Sequence, residues 1–192
     1  MTLPECIDLY KKMYLVFDNQ QCDIVTGARL YNAVLHSPEG DVIEIGSAFG
    51  GSTVFLIGAA QVIGKQVISI DPYPTGDYCY ANVTPAWKAF FKNNFLDYYD
   101  NIVQHNCDIT ECLGSLPDTI SVGFIDGNHN TENANREFGI LMKKLCSGGY
   151  LVLDDTHLET LKTVAARICE PQFSHIETVG ITHTKFGCLG SN

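Results

Sequence analysis

The sequence predicts one α/β domain built on a doubly wound, mostly parallel sheet of about seven strands whose last strand runs antiparallel. Three observations lead to this prediction. After residue 40, short apolar runs rich in β-branched residues alternate with segments of helical periodicity. Most of these runs are nearly continuously apolar, as in a parallel sheet covered by helices on both faces. The chain ends in two strand-like segments joined by a short turn, which favours an antiparallel pair.

The composition bounds the class of protein. The chain has 192 residues, of which 45% are hydrophobic and 18% charged, as expected for one globular domain. We find no apolar run of membrane-spanning length and no signal-sequence pattern in the first residues. The net charge of −10 argues against a nucleic-acid partner, so a small molecule or a cation is the expected binding partner. The eight cysteines form no Cys-x-x-Cys pair, which favours reduced thiols in a cytoplasmic protein.

Residues 1–40 are expected to form a helical cap on the core, which comprises residues 41–192 of the same domain. Apolar side chains recur there at helical spacing in two groups, first Leu9, Met13, Val16 and Phe17, then Ile24, Ala28, Leu30, Tyr31, Val34 and Leu35. The second helix should end near residues 37–40, a Ser-Pro-Glu-Gly sequence. Exposed N-terminal helices would also make a homodimer possible.

The remaining elements are predicted in chain order. The strands are expected at 42–45, 67–70, 102–104, 122–125, 150–153, 176–179 and 185–189. The helices are expected from residue 52 to a stop at Gly64, at 87–98, at 132–145, and from a capping-box sequence at 156–159 to about residue 169. Residues 73–85 show no period and are expected to form a loop, which with Trp87 and the cap would cover the site. Its aromatic side chains either receive a flat or sugar-like acceptor or simply pack.

The first site feature is the strand, glycine loop and helix start at residues 41–54, an order that suits a nucleotide-like ligand. Asp71 ends the second strand, 20 residues after Gly51, where a carboxylate can accept both hydroxyls of a ribose. The alternative for Asp71 is a role in starting the Asp-Pro turn. The spacing of Gly46 and Gly50 does not fit the Gly-x-Gly-x-x-Gly pattern, which counts against a nicotinamide enzyme.

The second feature is a group of carboxylates, Asp126, Asp154 and Asp155, at the ends of the fourth and fifth predicted strands. Neighbouring strands lie about 4.8 Å apart, so these side chains can converge on one point. Converging carboxylates repel each other unless a proton or a cation intervenes, and Mg²⁺ is the first candidate. The alternative makes Asp154 or Asp155 the N-cap of a helix.

His129 and Asn128 follow Asp126 on the same rim. A histidine with a near-neutral pKa suits a general base that takes a proton from a hydroxyl. The alternative is a polar turn residue.

Three motifs in this order resemble the class I S-adenosylmethionine-dependent methyltransferases, over nearly everything from residue 41 onward. Residues 44–53 are similar to the cofactor loop of the catechol O-methyltransferase branch. Residues 124–129 and 148–155 are more similar to the relatives that methylate sugars of macrolide and aminocoumarin natural products. The resemblance implies a Rossmann-like sheet with an antiparallel last strand.

The resemblance also implies a set of site residues. The methionine part of the cofactor would be surrounded by Glu44, Gly46, Ser47 and Ser52, the ribose held by Asp71, and the adenine bordered by Asn106, Cys107 and Asp108. Asp126 would contact both the cofactor and Mg²⁺, which Asp154 and Asp155 would also bind. The catechol enzymes carry a lysine at the position of His129, and the sugar enzymes an acidic residue at that of Asn128. This chain departs from both patterns, so His129 is assigned as the base by elimination.

We therefore expect an S-adenosylmethionine-dependent, Mg²⁺-dependent O-methyltransferase that acts on a hydroxyl of a sugar-like or catechol-like small molecule. Two alternatives stay open. One is a methyltransferase without a metal, and the other is a protein that binds the cofactor without catalysis.

Overall fold

Seven strands form one sheet in a computed structural model of the chain, which describes residues 1–15, 22–73, 84–180 and 183–190. The strands are β1 (Asp41–Ile45), β2 (Val67–Ile70), β3 (Ile102–His105), β4 (Ile120–Ile125), β5 (Leu145–Leu153), β6 (Phe173–Val179) and β7 (Thr184–Leu189). Their order across the sheet is β3-β2-β1-β4-β5-β7-β6. The predicted fold class is confirmed.

The pairing of the strands puts the predicted site residues along one edge of the sheet. β1 lies between β2 and β4 and runs parallel to both, and β4 runs parallel to β5. β7 pairs with β5 and with β6 in the antiparallel sense, as the chain ending predicted. The carboxyl ends of β1, β2, β4 and β5 therefore meet at one edge, and the strand order reverses between β1 and β4, where open α/β sheets hold their ligands.

Helices cover both faces of the sheet. They are α1 (Leu3–Tyr14), α2 (Ile24–His36), α3 (Thr53–Ile63), α4 (Thr84–Phe91), α5 (Thr131–Lys144) and α6 (Lys162–Arg167). The first three contribute to one hydrophobic core, which also contains Val42, and α5 and α6 contribute to a second core on the other face, which contains Ile43. Helix α3 stops at Gly64, whose φ of 72° is the left-handed C-cap conformation, as predicted.

Three predicted elements differ from the structure. The capping box at residues 156–159 is wrong, because the Thr156 hydroxyl donates to the backbone oxygen of His183 and the chain forms a short 3-10 turn (Glu159–Leu161) before α6. β5 begins at Leu145, immediately after α5, rather than at Tyr150. Helix α4 continues into a π-helical turn at Lys92–Leu96, where a regular α-helix was expected.

Some expectations fall outside the described residues, namely the helical assignment of Val16 and Phe17 and most of the predicted covering loop (residues 74–83). Among the helices of the described ranges, none combines the length and the hydrophobicity that crossing a membrane requires.

Candidate active site

Glu44, near the end of β1, organises the start of helix α3 from inside the protein. Its side chain is completely buried. Both carboxylate oxygens accept hydrogen bonds from hydroxyls at the start of α3, one from Ser52 and one from Thr53 Oγ1 at 2.6 Å. Burial raises the pKa of Glu44 to about 7 although these hydroxyls lower it. The predicted cofactor residues Glu44 and Ser52 are thus joined in one buried contact.

Gly46 lies at the point where the ends of β1 and β4 come closest. Its φ is +87°, and a Cβ atom there would lie 2.0 Å from the backbone oxygen of Asp126. The Gly46 N–H donates to the backbone oxygen of Ile70, 2.9 Å away, so the loop is also tied to β2. Only glycine combines this backbone conformation with this approach.

Asp71, at the end of β2, holds the glycine loop with its carboxylate. Oδ2 accepts from the backbone N–H of Ala48 at 2.8 Å, and Oδ1 accepts from that of Tyr73 at 2.8 Å. Ala48 has a φ of 44°, so this N–H is supplied by a left-handed loop residue. Burial raises the pKa of Asp71, and the backbone hydrogen bonds partly offset it.

Tyr73 was predicted as an aromatic residue of the covering loop that either receives the acceptor or packs, and in the structure it is tied to the glycine loop. Its hydroxyl donates to the backbone oxygen of Ala48 at 2.7 Å and accepts from Gln104 Nε2 at 2.9 Å. The Ser47 hydroxyl, a predicted cofactor contact, lies 3.5 Å from the same oxygen. Burial raises the pKa of Tyr73. The sequence offered one sign of this contact, which is that Tyr73 directly follows the Asp-Pro pair at the end of β2.

The predicted adenine residues follow β3 along the same edge. Asn106 is exposed, and Cys107 is partly buried. Asp108 accepts from Thr110 Oγ1 at 2.7 Å and pairs with Arg136 Nη2 at 3.0 Å. Burial raises the pKa of Asp108, but the hydrogen bonds from Thr110 and the charge of Arg136 outweigh it, so the net shift is downward.

On the other side of Gly46, the structure brings Asp126, Asp155 and His129 together. His129 Nε2 lies 2.9 Å from Asp155 Oδ2 and 3.8 Å from Asp126 Oδ1. One ligand atom from each of the three residues lies within 4.8 Å of the other two. Asp155 has a φ of 52°, a left-handed conformation that turns its side chain onto this rim.

The charges of this group depend on each other. Burial raises the pKa of Asp126 well above its ordinary value, and the charge of Asp154 adds to the effect. Hydrogen bonds to Asp126 and Asp155 raise the pKa of His129 to about 10. His129 Nε2 is already engaged by Asp155 and lies close to Asp126, so this geometry argues against that nitrogen as the general base.

Asp154 lies beside this group but is directed into the protein. It is 1% exposed, and its Oδ1 accepts from Thr184 Oγ1 at 2.6 Å and from the Asp155 N–H at 2.8 Å. Thr184 Oγ1 lies 3.0 Å from Thr26 Oγ1, which lies 3.1 Å from Asp23 Oδ2. This chain of polar contacts joins the rim to the N-terminus of α2. It was missed in the sequence because its members lie far apart along the chain.

Asn128 has a structural role in the turn after β4. It is exposed, and its Oδ1 accepts from the backbone N–H of Asn130 at 3.1 Å. Asn130 in turn caps α5 by accepting from the Glu132 N–H at 2.8 Å. These two contacts fix the turn that carries His129.

The donor set fits a divalent cation. Carboxylate oxygens and one imidazole nitrogen converge, and the ion pairs that Asp126 and Asp155 make in the described part of the chain are all with histidines. Within the described residues, the ion pairs that offset the repulsion between these carboxylates come from imidazoles, a group that can also bind a metal.

Comparisons with known proteins identify the family of this chain. A family described as "Methyltransferase domain" matches residues 43–156, more than half of the chain. The uncharacterized protein R132 of Acanthamoeba polyphaga mimivirus is 31% identical over 120 residues, and the match spans 59% of this chain and half of that protein's length.

Solved structures share the fold. The O-methyltransferase NovP superposes with a TM-score of 0.66 at 16% identity, over 86% of this chain and 79% of NovP. An O-methyltransferase from Bacillus cereus in complex with SAH superposes with a TM-score of 0.68 at 13% identity, over 98% of this chain and 90% of that chain.

Proposed function

The chain belongs to the methyltransferase-domain family, and we propose that it transfers a methyl group from S-adenosylmethionine to a hydroxyl of a small molecule. The observation that carries this proposal is that two groups of residues lie on one edge of the sheet. The first, called the cofactor half below, is the loop held by Glu44 and Asp71 at the ends of β1 and β2. The second, called the acidic half, is the rim of Asp126 and Asp155 at the ends of β4 and β5.

For the cofactor, we assign the methionine part to the loop after β1 and the ribose to Asp71. The loop residues are Glu44, Gly46, Ser47 and Ser52. The adenine would lie against Asn106, Cys107 and Asp108, which follow the neighbouring strand β3. The SAH-bound Bacillus cereus relative, which has the same fold, supports this class of ligand.

For the metal, we propose a divalent cation, Mg²⁺ or another, near the carboxylates of Asp126, Asp154 and Asp155. When bound, the metal would lower the pKa of the acceptor hydroxyl and orient it. The support is the convergence of donor atoms within 4.8 Å of one another at Asp126 and Asp155.

The chemistry is a direct displacement. The acceptor oxygen forms a bond to the methyl carbon while the carbon–sulfur bond breaks, and the sulfur keeps that electron pair. The hydroxyl proton leaves to solvent in this proposal, because His129 is engaged by two carboxylates. The protein contributes mainly alignment, which Gly46 supports by bringing the two halves of the site into backbone contact.

For the acceptor, we propose a small molecule with a flat or sugar-like hydroxyl-bearing part. A cavity of about 680 Å³ lies between α1, the start of α2 and Gly180, and its walls include Tyr10, Tyr14, Ile24 and Val25. Asp23 also lines it and begins the chain of polar contacts that ends at Asp154. The cavity supports an acceptor with an apolar part, because its walls are mainly aromatic and aliphatic.

The proposal also includes a cytoplasmic location and a possible homodimer. The seven cysteines among the described residues are free thiols, which supports a reducing compartment such as the cytoplasm. Exposed apolar residues on the cap, such as Leu15 and Val25, support either a homodimer contact or acceptor binding.

Calorimetry with S-adenosylmethionine and with S-adenosylhomocysteine, each with and without Mg²⁺, tests the proposal. We expect both compounds to bind, and turnover of a hydroxyl acceptor to require the metal. If neither compound binds, the whole proposal fails. Binding and turnover that are indifferent to metal would instead support a methyltransferase without a metal, and binding without turnover across a panel of catechols and sugar-bearing compounds would support a non-catalytic binding protein.

A further inference from the structure

The donor atoms nearest to one another on the acidic rim are two oxygens and one nitrogen, rather than three carboxylates. The distances are 2.9 Å from His129 Nε2 to Asp155 Oδ2 and 3.8 Å to Asp126 Oδ1. Around a metal with bonds of about 2.1 Å, neighbouring donors lie about 3 Å apart and opposite donors about 4 Å apart. The imidazole therefore already lies at the spacing of a metal ligand from both carboxylates.

Asp154 has different geometry from these three residues. Its Oδ1 accepts hydrogen bonds from Thr184 Oγ1 at 2.6 Å and from the Asp155 N–H at 2.8 Å, and the residue is 1% exposed. The side chain of His129, in contrast, is 43% exposed and faces the rim. Of these two residues, His129 is the one that a cation entering from solvent can reach without breaking buried hydrogen bonds.

The turn after β4 holds the imidazole in this place. The Asn128 side chain accepts from the N–H of Asn130 at 3.1 Å, and the side chain of Asn130 caps α5. His129 lies between these two anchored residues and three positions after Asp126. A preorganised turn is what a metal ligand on a loop needs.

We propose that His129 is a ligand of the metal together with Asp126 and Asp155, and that Asp154 positions Asp155 from behind. The inference rests on the metal site of the proposed function. First-row transition ions accept an imidazole ligand more readily than Mg²⁺, which prefers oxygen ligands and keeps its waters. The site therefore binds Mn²⁺ more tightly than Mg²⁺, and the coordinated nitrogen has no lone pair left to act as a base.

Pulsed electron paramagnetic resonance of the full chain loaded with Mn²⁺ tests this assignment, because a directly bound imidazole nitrogen couples to the metal's unpaired electrons. We expect this coupling in the unmodified protein. His129→Gln should remove it and weaken Mn²⁺ binding by about tenfold or more, as measured by titration. Circular dichroism of each variant checks folding.

Two histidines provide matched controls. His157 lies 3.7 Å from Asp155 on the same rim, and His36 is exposed on α2. His157→Gln and His36→Gln should both keep the nitrogen coupling. If the coupling disappears in His157→Gln but persists in His129→Gln, the assignment is overturned.

The remaining outcomes separate this inference from the proposed function. Bound Mn²⁺ without nitrogen coupling, or Mg²⁺ binding as tight as Mn²⁺ binding, overturns the role of His129 and leaves a carboxylate metal site standing. No binding of Mn²⁺ at all overturns both the inference and the metal of the proposed function. Calorimetry with S-adenosylhomocysteine on the same samples shows whether the cofactor half is intact in each case.

Discussion

The two halves of the site edge neutralise their carboxylates in different ways. In the cofactor half, Glu44 and Asp71 accept hydrogen bonds from hydroxyls and backbone N–H groups, which carry no net charge. In the acidic half, Asp126 and Asp155 face each other across His129. The first half is satisfied by uncharged donors, whereas the second holds its carboxylates against an imidazole. This difference is the one that the proposed function requires of a loop that holds the cofactor and of a rim that a cation completes.

The two halves also differ in how far apart their contacts lie along the chain. Ser52 and Glu44 are 8 residues apart, and Ala48 and Asp71 are 23 apart. Thr184 and Asp154 are 30 apart, and Thr26 and Thr184 are 158 apart. The cofactor half is built within one strand–helix–strand unit, while the acidic half requires the N-terminal cap and the last strand to be in place.

Gly46→Ala should break both halves at once and have the largest effect. The added Cβ would lie 2.0 Å from the backbone oxygen of Asp126, at a φ of +87°. Strain and overpacking together should lower the free energy of unfolding by about 4 kcal/mol, measured by urea denaturation. Gly139→Ala, in helix α5 with nothing within 4 Å of the added Cβ, is the control and should stabilise the protein slightly. Equal stability of both variants would contradict the close approach.

Glu44→Gln tests whether the cofactor half is a closed, uncharged unit. The pKa of Glu44 is raised from 4.5 to about 7 in the folded protein. Between these values the unfolded chain loses the proton while the folded chain keeps it, so stability falls as pH rises from about 4.5 to 7. This single group should cost about 3 kcal/mol over that range.

The measurement for Glu44 is the free energy of unfolding in urea at several pH values from 4.5 to 8. The difference between the unmodified protein and Glu44→Gln should shrink by about 3 kcal/mol as pH rises, because glutamine does not ionise. The other buried carboxyl with a pKa near 7, Glu137, is present in both proteins and cancels. Parallel curves would mean that Glu44 is ionised throughout.

Asp71→Asn should separate cofactor binding from the acidic rim. An amide has one oxygen and one NH₂ group, so either the Ala48 or the Tyr73 N–H, each now 2.8 Å from a different carboxylate oxygen, would face a donor. We expect S-adenosylhomocysteine to bind with about 2 kcal/mol less free energy, roughly 30-fold more weakly, with Mn²⁺ affinity unchanged. Asp41→Asn is the control, because Asp41 begins β1 and therefore lies at the edge of the sheet away from the site. A parallel loss of metal affinity in Asp71→Asn would show that the two halves are not independent.

Thr184→Val is the smallest of these changes and acts on the acidic half alone. It removes the hydroxyl that donates to Asp154 at 2.6 Å without changing the shape of the side chain. Stability should fall by about 1 kcal/mol and Mn²⁺ affinity by about tenfold, whereas binding of S-adenosylhomocysteine should be unaffected. Thr178→Val, exposed on β6, controls for the loss of a hydroxyl from a strand. Unchanged metal affinity would remove Asp154 and its partners from the metal site.

The sequence by itself determined the fold class, because each strand is a short apolar run, and Asp71, Asp126 and Asp154 each follow directly after such a run. It also placed Glu44, Asp71, Asp126, Asp154 and Asp155 on one edge, since parallel strands end on the same side of a sheet. Local patterns were less secure where a tertiary contact competed with them. The hydroxyl of Thr156 illustrates this, because it bonds to His183 instead of capping a helix.

Only the tertiary structure decided which of these side chains face one another. Asp154 and Asp155 are neighbours in sequence, yet one is directed into the protein toward Thr184 and the other onto the rim toward His129. The physical reason is that a carboxylate takes the direction of its hydrogen-bond donors, and the donor for Asp154 comes from a strand 30 residues away. Strand ends fix where a charged group lies, and packing between distant segments fixes what it can bind.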